Sequence, residues 1–191
     1  MKALVLDGSR KGDNTPSGVS DLISHSLWER GYELDVVPLH DIQIADCIGC
    51  FLCWIKTPGV CVIDDAGRDI ALKLIQSDLV VFLTPVVFGG YSVELKKALD
   101  RQIGNVLPFF VKIGNEVHHK ARYERHPRLV GVGVLPHPDE ESEKLFEVLV
   151  SRNAINMHSP AHSAGVVYTG DSAEKARNKI EALFIKTGAE K

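Results

Sequence analysis

The stretch Leu79–Ser92, LVVFLTPVVFGGYS, indicates the fold more clearly than any other part of the chain. It opens with the uninterrupted apolar run Leu79–Leu83, which is typical of a strand buried on both faces of a parallel sheet. Pro85 and the glycine pair that follows it then predict a loop. From Ser92 onward, leucines recur at helical spacing and predict a helix that reaches about Ile103. The stretch therefore predicts the strand, loop and helix of a βαβ unit.

The same unit recurs along the rest of the chain. Four further apolar runs predict strands at Ala3–Leu6, Leu34–Leu39, Leu129–Leu135 and Gly165–Tyr168. Periodic patterns predict helices from a cap at Thr15-Pro16 to Gly31, from a cap at Asp64-Asp65 through Ile75, over about Glu140–Arg152 and over about Ser172–Lys186. We predict one α/β domain over residues 1–191, with a doubly wound five-stranded parallel sheet and helices on both faces. Such sheets bind ligands beyond the carboxyl ends of their strands.

Composition and charge narrow the classes of function. The 191 residues are 45% hydrophobic and 25% charged, which fits an ordinary globular domain with a real core. A formal net charge of −3 gives no electrostatic footprint for nucleic acid or for an anionic membrane surface. No apolar run approaches the roughly 18–20 residues of a membrane span, and Met1-Lys2 leads directly into a short apolar run. We therefore expect a cytoplasmic protein whose partners are small molecules.

The first loop, Gly8–Thr15, combines hydroxyls, an amide and cations between a predicted strand and a predicted helix. Such groups next to a helix N-terminus form an anion site, so a phosphate cradle is one interpretation. The loop lacks the lysine spacing of a P-loop and the glycines of a dinucleotide fingerprint, which disfavours a nucleoside triphosphate or an ordinary NAD site. The other interpretation is a solvated loop in which Thr15 caps the helix and Arg10 and Lys11 are merely exposed.

The second loop, Thr84–Ser92, has the features of a wall for a flat ligand. Pro85 and the glycine pair allow the backbone to approach a ring closely while its N–H and C=O groups stay free. An isoalloxazine ring requires such a wall, because main-chain groups match its pyrimidine edge and side chains such as Val86 and Phe88 pack on its apolar edge. The second loop therefore favours a flavin.

These motifs resemble those of the flavodoxin-like NAD(P)H-dependent FMN reductases and, among them, the iron–sulfur flavoproteins. The matching residues are Gly8-Ser9 with Asn14-Thr15, the run Thr84–Ser92, and the downstream Lys96 and Asp100-Arg101. The resemblance implies a flavodoxin-like sheet and a non-covalently bound FMN whose phosphate lies at Ser9, Arg10, Asn14 and Thr15. It places the flavin ring against Thr84, Pro85, Val86, Val87, Phe88, Gly89 and Gly90.

The resemblance also implies a function. NAD(P)H or reduced ferredoxin would supply electrons to FMN, and the acceptor would be a quinone, a metal ion, oxygen or a cluster. Because the flavin carries the chemistry, we expect no side-chain nucleophile and no general base. A homodimer or homotetramer is implied as well. Two alternatives stay open: an electron carrier like flavodoxin without its own substrate, and a redox- or metal-sensing flavoprotein.

The cysteines fall in one insert, about residues 46–62, in the pattern Cys47-x2-Cys50-x2-Cys53-x7-Cys61. Spacings of three bring successive thiolates onto a compact turn, and the last can return from the far side of the turn at Thr57-Pro58-Gly59. In a cytosolic chain this set indicates metal, iron–sulfur or redox use rather than disulfides. The resemblance implies a four-iron, four-sulfur cluster on these residues. Structural zinc and bare reduced thiols are the alternatives.

The segment 108–128 is polar, histidine-rich and without clear periodicity, and it is longer than most connections inside a compact domain. The adjacent His118 and His119 lack the i, i+4 spacing that would aim both at one metal ion. We expect a solvated loop or a dimer contact here. The alternative is that His118, His119 or Arg122 covers the flavin of a neighbouring subunit or neutralises a nicotinamide-cofactor phosphate.

Overall fold

The computed structural model describes residues 1–10 and 18–189. Within this part of the chain the strands are β1 (Lys2–Asp7), β2 (Glu33–Pro38), β3 (Leu79–Pro85), β4 (Val106–Ile113), β5 (Glu116–Ala121), β6 (Arg128–Leu135) and β7 (His162–Tyr168). The α-helices are α1 (Val19–Glu29), α2 (Leu52–Ile55), α3 (Ala66–Gln76), α4 (Val93–Asp100), α5 (Glu140–Asn156) and α6 (Ala173–Thr187). Short 3₁₀ turns follow β2 at Leu39–Asp41 and α4 at Arg101–Asn105.

Parallel strands form the central sheet, in the order β2-β1-β3-β6-β7. Counted among the parallel strands alone, this order is 2-1-3-4-5, which is that of a flavodoxin-like doubly wound sheet. The predicted fold class and all five predicted strands are confirmed. β7 begins earlier than predicted, at His162.

Both faces of the sheet are packed, because successive residues of a strand point to opposite sides. Ala3 and Val5 of β1 lie in a core cluster with residues of α1 and α6. Leu4 and Leu6 lie in a second cluster with residues of α3, α4 and α5. Because helices cover both faces of the sheet, the ends of the strands are the part of it that remains accessible to ligands.

Capping side chains start the two helices nearest the candidate sites. Asp65 accepts a hydrogen bond from the Gly67 N–H (2.9 Å) at the start of α3, and the Ser92 hydroxyl accepts one from the Leu95 N–H (3.2 Å) at the start of α4. Both caps lie where the sequence pattern predicts them. The cap predicted at Thr15-Pro16 lies outside the described residues.

The helices differ from the prediction mainly at their C-terminal ends. α4 ends at Asp100, before the predicted Ile103, and gives way to the 3₁₀ turn. This turn is fixed against α3, because the Asn105 side-chain amide donates to the Ala71 carbonyl (3.1 Å). None of the helices in the described ranges is both long and apolar enough to cross a membrane.

The segment 108–128, expected to be a solvated loop or a dimer contact, largely forms an antiparallel hairpin of β4 and β5. His118 is buried in it, with Nδ1 2.8 Å from Asn156 Oδ1 and Nε2 2.9 Å from Glu116 Oε2. The expectation of a solvated loop is therefore wrong for this part. A two-stranded ribbon packs on the protein through one face only, so the apolar alternation that would reveal its strands is short.

We expect Gly8→Ala to destabilise the fold where β1 meets α4. A Cβ at Gly8 would lie 2.7 Å from Ser92 Oγ and 2.8 Å from Leu95 Cβ, and both side chains are buried. The free energy of unfolding should fall by about 1–3 kcal/mol, measured by urea denaturation. Gly170→Ala is the matched control, since a Cβ there meets nothing within 4 Å. Equal losses in both variants would contradict the packing argument.

Candidate functional site

Gly8, at the start of the first loop, lies beside the second loop at the carboxyl edge of the sheet. The Gly8 N–H donates to the Leu83 carbonyl (2.7 Å), and the Ser92 N–H donates to Oγ1 of the buried Thr84 (2.9 Å). Gly8 also packs directly against Ser92. The described start of the first loop is therefore next to the second loop, as a ligand that spans both would require.

Two carboxylates hold the described part of the first loop. Ser9 donates from its hydroxyl (2.5 Å) and from its backbone N–H (3.0 Å) to Asp7 Oδ1. Arg10 Nε donates to both carboxylate oxygens of Glu94 (3.0 and 2.9 Å), in the first turn of α4. Two predicted phosphate residues thus lie at the carboxyl edge of the sheet, each on an acidic partner. The other two, Asn14 and Thr15, lie outside the described residues.

His40 is a further residue of this edge that the sequence pattern does not single out. It follows β2, and its Nδ1 lies 3.0 Å from the carbonyl oxygen of Ser9. A proton on Nδ1 would therefore be donated to the first loop. The signal that could have found His40 is its position, because β2 pairs with β1 and ends at the same edge of the sheet.

The tip of the second loop is a tight two-residue turn. Val87 and Gly90 exchange two backbone hydrogen bonds (3.0 and 2.9 Å), and φ is 50° at Phe88 and 73° at Gly89. Positive φ at both central residues is the geometry of a type I′ turn. Phe88 is fully exposed. A bulky residue at positive φ is strained, and such strain is concentrated at functional sites.

The second loop is hydrogen-bonded to the sheet, and two of its backbone donors have no partner among the described residues. The Val86 N–H donates to the Val134 carbonyl (2.9 Å), which fixes the loop to β6. Pro85 ends β3 just before it. Within the described residues, the backbone N–H groups of Phe88 and Gly89 have no hydrogen-bond partner. The loop therefore offers a fixed wall with two free donors to a ligand.

The structure places the predicted metal ligands around one cavity of about 290 Å³, lined by Cys47, Cys50, Cys53 and Cys61. Cys47 and Cys50 are exposed, Cys61 is half-buried and Cys53 is buried. Burial raises the pKa of the Cys53 thiol, and the neighbouring thiols of Cys61, Cys47 and Cys50 raise that pKa further. The thiols are thus close enough to influence one another's ionisation.

Backbone conformation and one tryptophan hold the cysteine segment in place. φ is 64° at Gly49 and 55° at Phe51, so the segment turns sharply there. Trp54 in α2 donates from Nε1 to the carbonyls of Ile103 (3.0 Å) and Val106 (2.9 Å). The 3₁₀ turn after α4 therefore anchors the segment.

The cavity differs from a site for one metal ion. Across residues 1–10 and 18–189, no three His, Cys, Asp or Glu side chains converge closely enough to hold a single ion. A tetrahedral zinc ion needs ligands that meet at one point, whereas the four thiolates of a four-iron cluster bind different irons and stand further apart. Four thiols around one cavity are the set of donor atoms that a four-iron cluster requires.

The hairpin side chains make contacts within the protein. His119 stacks on Phe110 and packs against Trp54, with ring centroids 4.9 Å apart in both pairs. Arg122 Nε donates to the Gly104 carbonyl (2.7 Å). These contacts join the hairpin to α2 and to the 3₁₀ turn. The side chains of His119 and Arg122 therefore lie on the side of the cysteine segment.

The two candidate sites lie at opposite ends of α4. Ser92 caps the first turn beside the first loop, and Arg101 follows the last turn and lines the cysteine cavity. The helix has 8 residues and is about 12 Å long. One rigid element therefore fixes the distance between the cofactor loops and the cysteines.

The strand order and the paired loops at the carboxyl edge define a flavodoxin-like protein. A model of the family described as NADPH-dependent FMN reductase matches residues 1–165. The chain belongs to the NADPH-dependent FMN reductase family, which confirms the resemblance seen in its motifs.

Relatives with curated names are similar to about half of this chain. An iron–sulfur flavoprotein of Methanocaldococcus jannaschii is 35% identical over 102 residues, which cover 53% of this chain and 51% of the relative. An iron–sulfur flavoprotein of Methanosarcina thermophila is 33% identical over 104 residues, or 54% and 53% of the two chains. The chain thus spans about half the length of the curated relatives it matches.

A solved structure extends the likeness in fold over nearly the whole chain. The NAD(P)H:quinone oxidoreductase from Methanothermobacter marburgensis superposes with a TM-score of 0.61 at 15% identity. The superposition covers 99% of this chain and 96% of the other. At this identity the likeness concerns the fold, and it agrees with the flavodoxin-like strand order.

We expect Phe88→Asn to stabilise the ligand-free protein. Asparagine tolerates positive φ, and Asn-Gly is a preferred pair in type I′ turns, while the fully exposed Phe88 has little packing to lose. The free energy of unfolding should rise by about 1 kcal/mol in urea denaturation. Phe88→Tyr, which keeps the strain, should leave stability unchanged. A less stable Phe88→Asn protein would disprove the assignment of strain to this turn.

Proposed function

We propose that the protein is an FMN-dependent oxidoreductase that takes electrons from NAD(P)H or reduced ferredoxin and passes them to a small-molecule acceptor. The observation that carries this proposal is the tight turn at Phe88 and Gly89, whose two N–H groups have no partner among the described residues, in a chain of the FMN reductase family. The names of the curated relatives, iron–sulfur flavoproteins, support a redox role.

The residues that would hold FMN come from both loops. Ser9, Arg10, Asn14 and Thr15 would bind the phosphate, and the wall Thr84–Gly90 would carry the flavin ring. When bound, FMN supplies reversible hydride and electron transfer. The wall would supply main-chain donors and the apolar surfaces of Val86 and Phe88, and Arg10 would exchange its partner Glu94 for the phosphate.

Tyr91 shows how the chain supports the cofactor instead of transferring protons itself. Its ring packs edge-on between Phe82 and Phe146, and its hydroxyl accepts a hydrogen bond from the Asn153 side-chain amide (2.8 Å). Burial raises the pKa of Tyr91 to about 12, so the phenol stays protonated near neutral pH. Tyr91 therefore packs at the end of the second loop and offers no base there.

We also propose that the cysteines hold a four-iron, four-sulfur cluster. The support is their shared cavity, their soft donor atoms and the names of the curated relatives. When bound, such a cluster would transfer single electrons. The ligands would be Cys47, Cys50, Cys53 and Cys61.

The cysteine cavity also favours a second candidate, an electron carrier without a substrate of its own. A chain that holds a flavin and a one-electron centre at the two ends of α4 can pass electrons between protein partners, and reduced ferredoxin would be such a partner. The two candidates differ in whether the protein itself turns over NAD(P)H.

A homodimer or homotetramer is part of the proposal. Phe109 and Phe110 of β4 and Val117 of β5 are 65%, 67% and 68% exposed. Neighbouring exposed apolar side chains on one hairpin are typical of an interaction surface. Within the described residues β4 pairs with β5 alone, so no other strand covers its second edge.

An NAD(P)H oxidation assay on FMN-loaded protein tests the main proposal. We expect a yellow protein that binds FMN on titration and oxidises NADH or NADPH in the presence of a quinone, ferric iron or oxygen. Reduction by ferredoxin without turnover of NAD(P)H on any acceptor would favour the carrier. A colourless protein that takes up no FMN would refute both.

The cluster is tested by iron and acid-labile sulfide analysis of anaerobically reconstituted Cys50→Ser. We expect the variant to lose bound iron while FMN content stays at the wild-type level, because Cys50 lies at the opposite end of α4 from the FMN loops. Ile55→Ser is the matched control, a polar change at a 77% exposed position of the same segment. Full iron retention in Cys50→Ser would rule out the ligand assignment.

A further inference from the structure

Arg101 is a buried cation in the wall of the cysteine cavity. Its side chain is 0% exposed, and it forms an ion pair with Asp65 through Nη1 (2.8 Å) and Nη2 (2.9 Å). The guanidinium lines the same cavity as the thiols of all four cysteines. A full positive charge is therefore fixed beside the sulfur atoms, out of contact with solvent.

The hydrogen bonds of Arg101 leave one of its N–H groups without a partner among the described residues. A guanidinium has five N–H groups. Nη1 donates to Asp65 and to the Ala45 carbonyl (2.8 Å), and Nη2 donates to Asp65 and to the Ile63 carbonyl (3.1 Å). The fifth group, Nε–H, is buried and has no partner among the described residues. A buried donor without a partner calls for an acceptor that these contacts do not include.

Cys61 is the acceptor that the surroundings offer. Cys61 lines two neighbouring cavities together with Arg101, whereas the other three cysteines share only one of them with it. The carbonyl of Cys61 is held by Arg68 Nε (2.6 Å), so the position of this cysteine is fixed. The end-on pairing of Asp65 with Nη1 and Nη2 keeps the carboxylate away from the Nε edge.

We propose that Arg101 is a positioning residue that donates from Nε–H to the Cys61 sulfur and raises the reduction potential of a cluster held by the cysteines. The inference rests on the cluster of the proposed function. Reduction makes a cluster more negative, and a hydrogen bond to a ligand sulfur stabilises that state. The effect is strong here because the guanidinium and the sulfur meet away from water.

Arg101→Lys tests the inference, because lysine keeps the positive charge beside Asp65 but has no Nε–H. After anaerobic reconstitution, an EPR-monitored redox titration should give a more negative midpoint potential at unchanged iron and sulfide content. Arg122→Lys is the matched control, since Arg122 donates to the Gly104 carbonyl of the same 3₁₀ turn but holds no cysteine and does not line the four-cysteine cavity. Its midpoint potential should equal that of the wild type. Equal potentials in the wild type and Arg101→Lys would overturn the inference.

A measurement on the native arginine covers the case in which Arg101→Lys does not fold. The chain is labelled with ¹⁵N-arginine in the Arg68→Lys background, and pulsed EPR is recorded on the reduced cluster. A ¹⁵N coupling to the cluster is expected, and its absence would overturn the inference. Wild-type protein that binds no iron or sulfide would instead overturn the proposed cluster, and the inference with it.

Discussion

The buried ion pair between Asp65 and Arg101 is the interaction on which the cysteine segment depends. Asp65 caps α3 and accepts the Ala45 N–H (2.8 Å), and Arg101 donates to the carbonyls of Ala45 and Ile63. Both ends of the segment are thus tied to one pair. Burial raises the pKa of Asp65, but the Arg101 hydrogen bonds and two backbone N–H groups outweigh burial and hold that pKa below its usual value. The pair therefore stays charged, and loss of one partner from such a pair costs about 3–5 kcal/mol.

This pair connects the two candidate sites through α4. The helix starts at Ser92, whose hydroxyl caps it beside Gly8, and ends at the residue before Arg101. A helix fixed at both ends has little freedom to tilt, since each end is packed against a different loop. The separation between the cofactor loops and the cysteine cavity is therefore a property of the core and not of the loops themselves.

The sequence predicts those features that local pattern controls. Apolar runs locate the five parallel strands, and the capping residues Asp65 and Ser92 locate two helix starts, because each signal lies within a few residues of its effect. Cysteine spacing likewise groups the thiols. The burial of Arg101 has no such signal, since its partner Asp65 is 36 positions away. His40 was missed for the same reason: its contact with Ser9 depends on the pairing of β2 with β1.

In the proposed flavin site, Glu94 acts as a substitute for the phosphate. The side chains of Arg10 and Glu94 are 50% and 23% exposed, so their ion pair contributes about 0–1 kcal/mol and is easily exchanged. A phosphate carries more negative charge than a carboxylate and forms equally good bidentate hydrogen bonds with a guanidinium, so the exchange favours the phosphate. Before the phosphate binds, Glu94 holds Arg10 at the carboxyl edge of the sheet. Arg10 is therefore already ordered in the folded protein. Phosphate binding then does not include the entropy cost of ordering this side chain, and it is stronger for that reason.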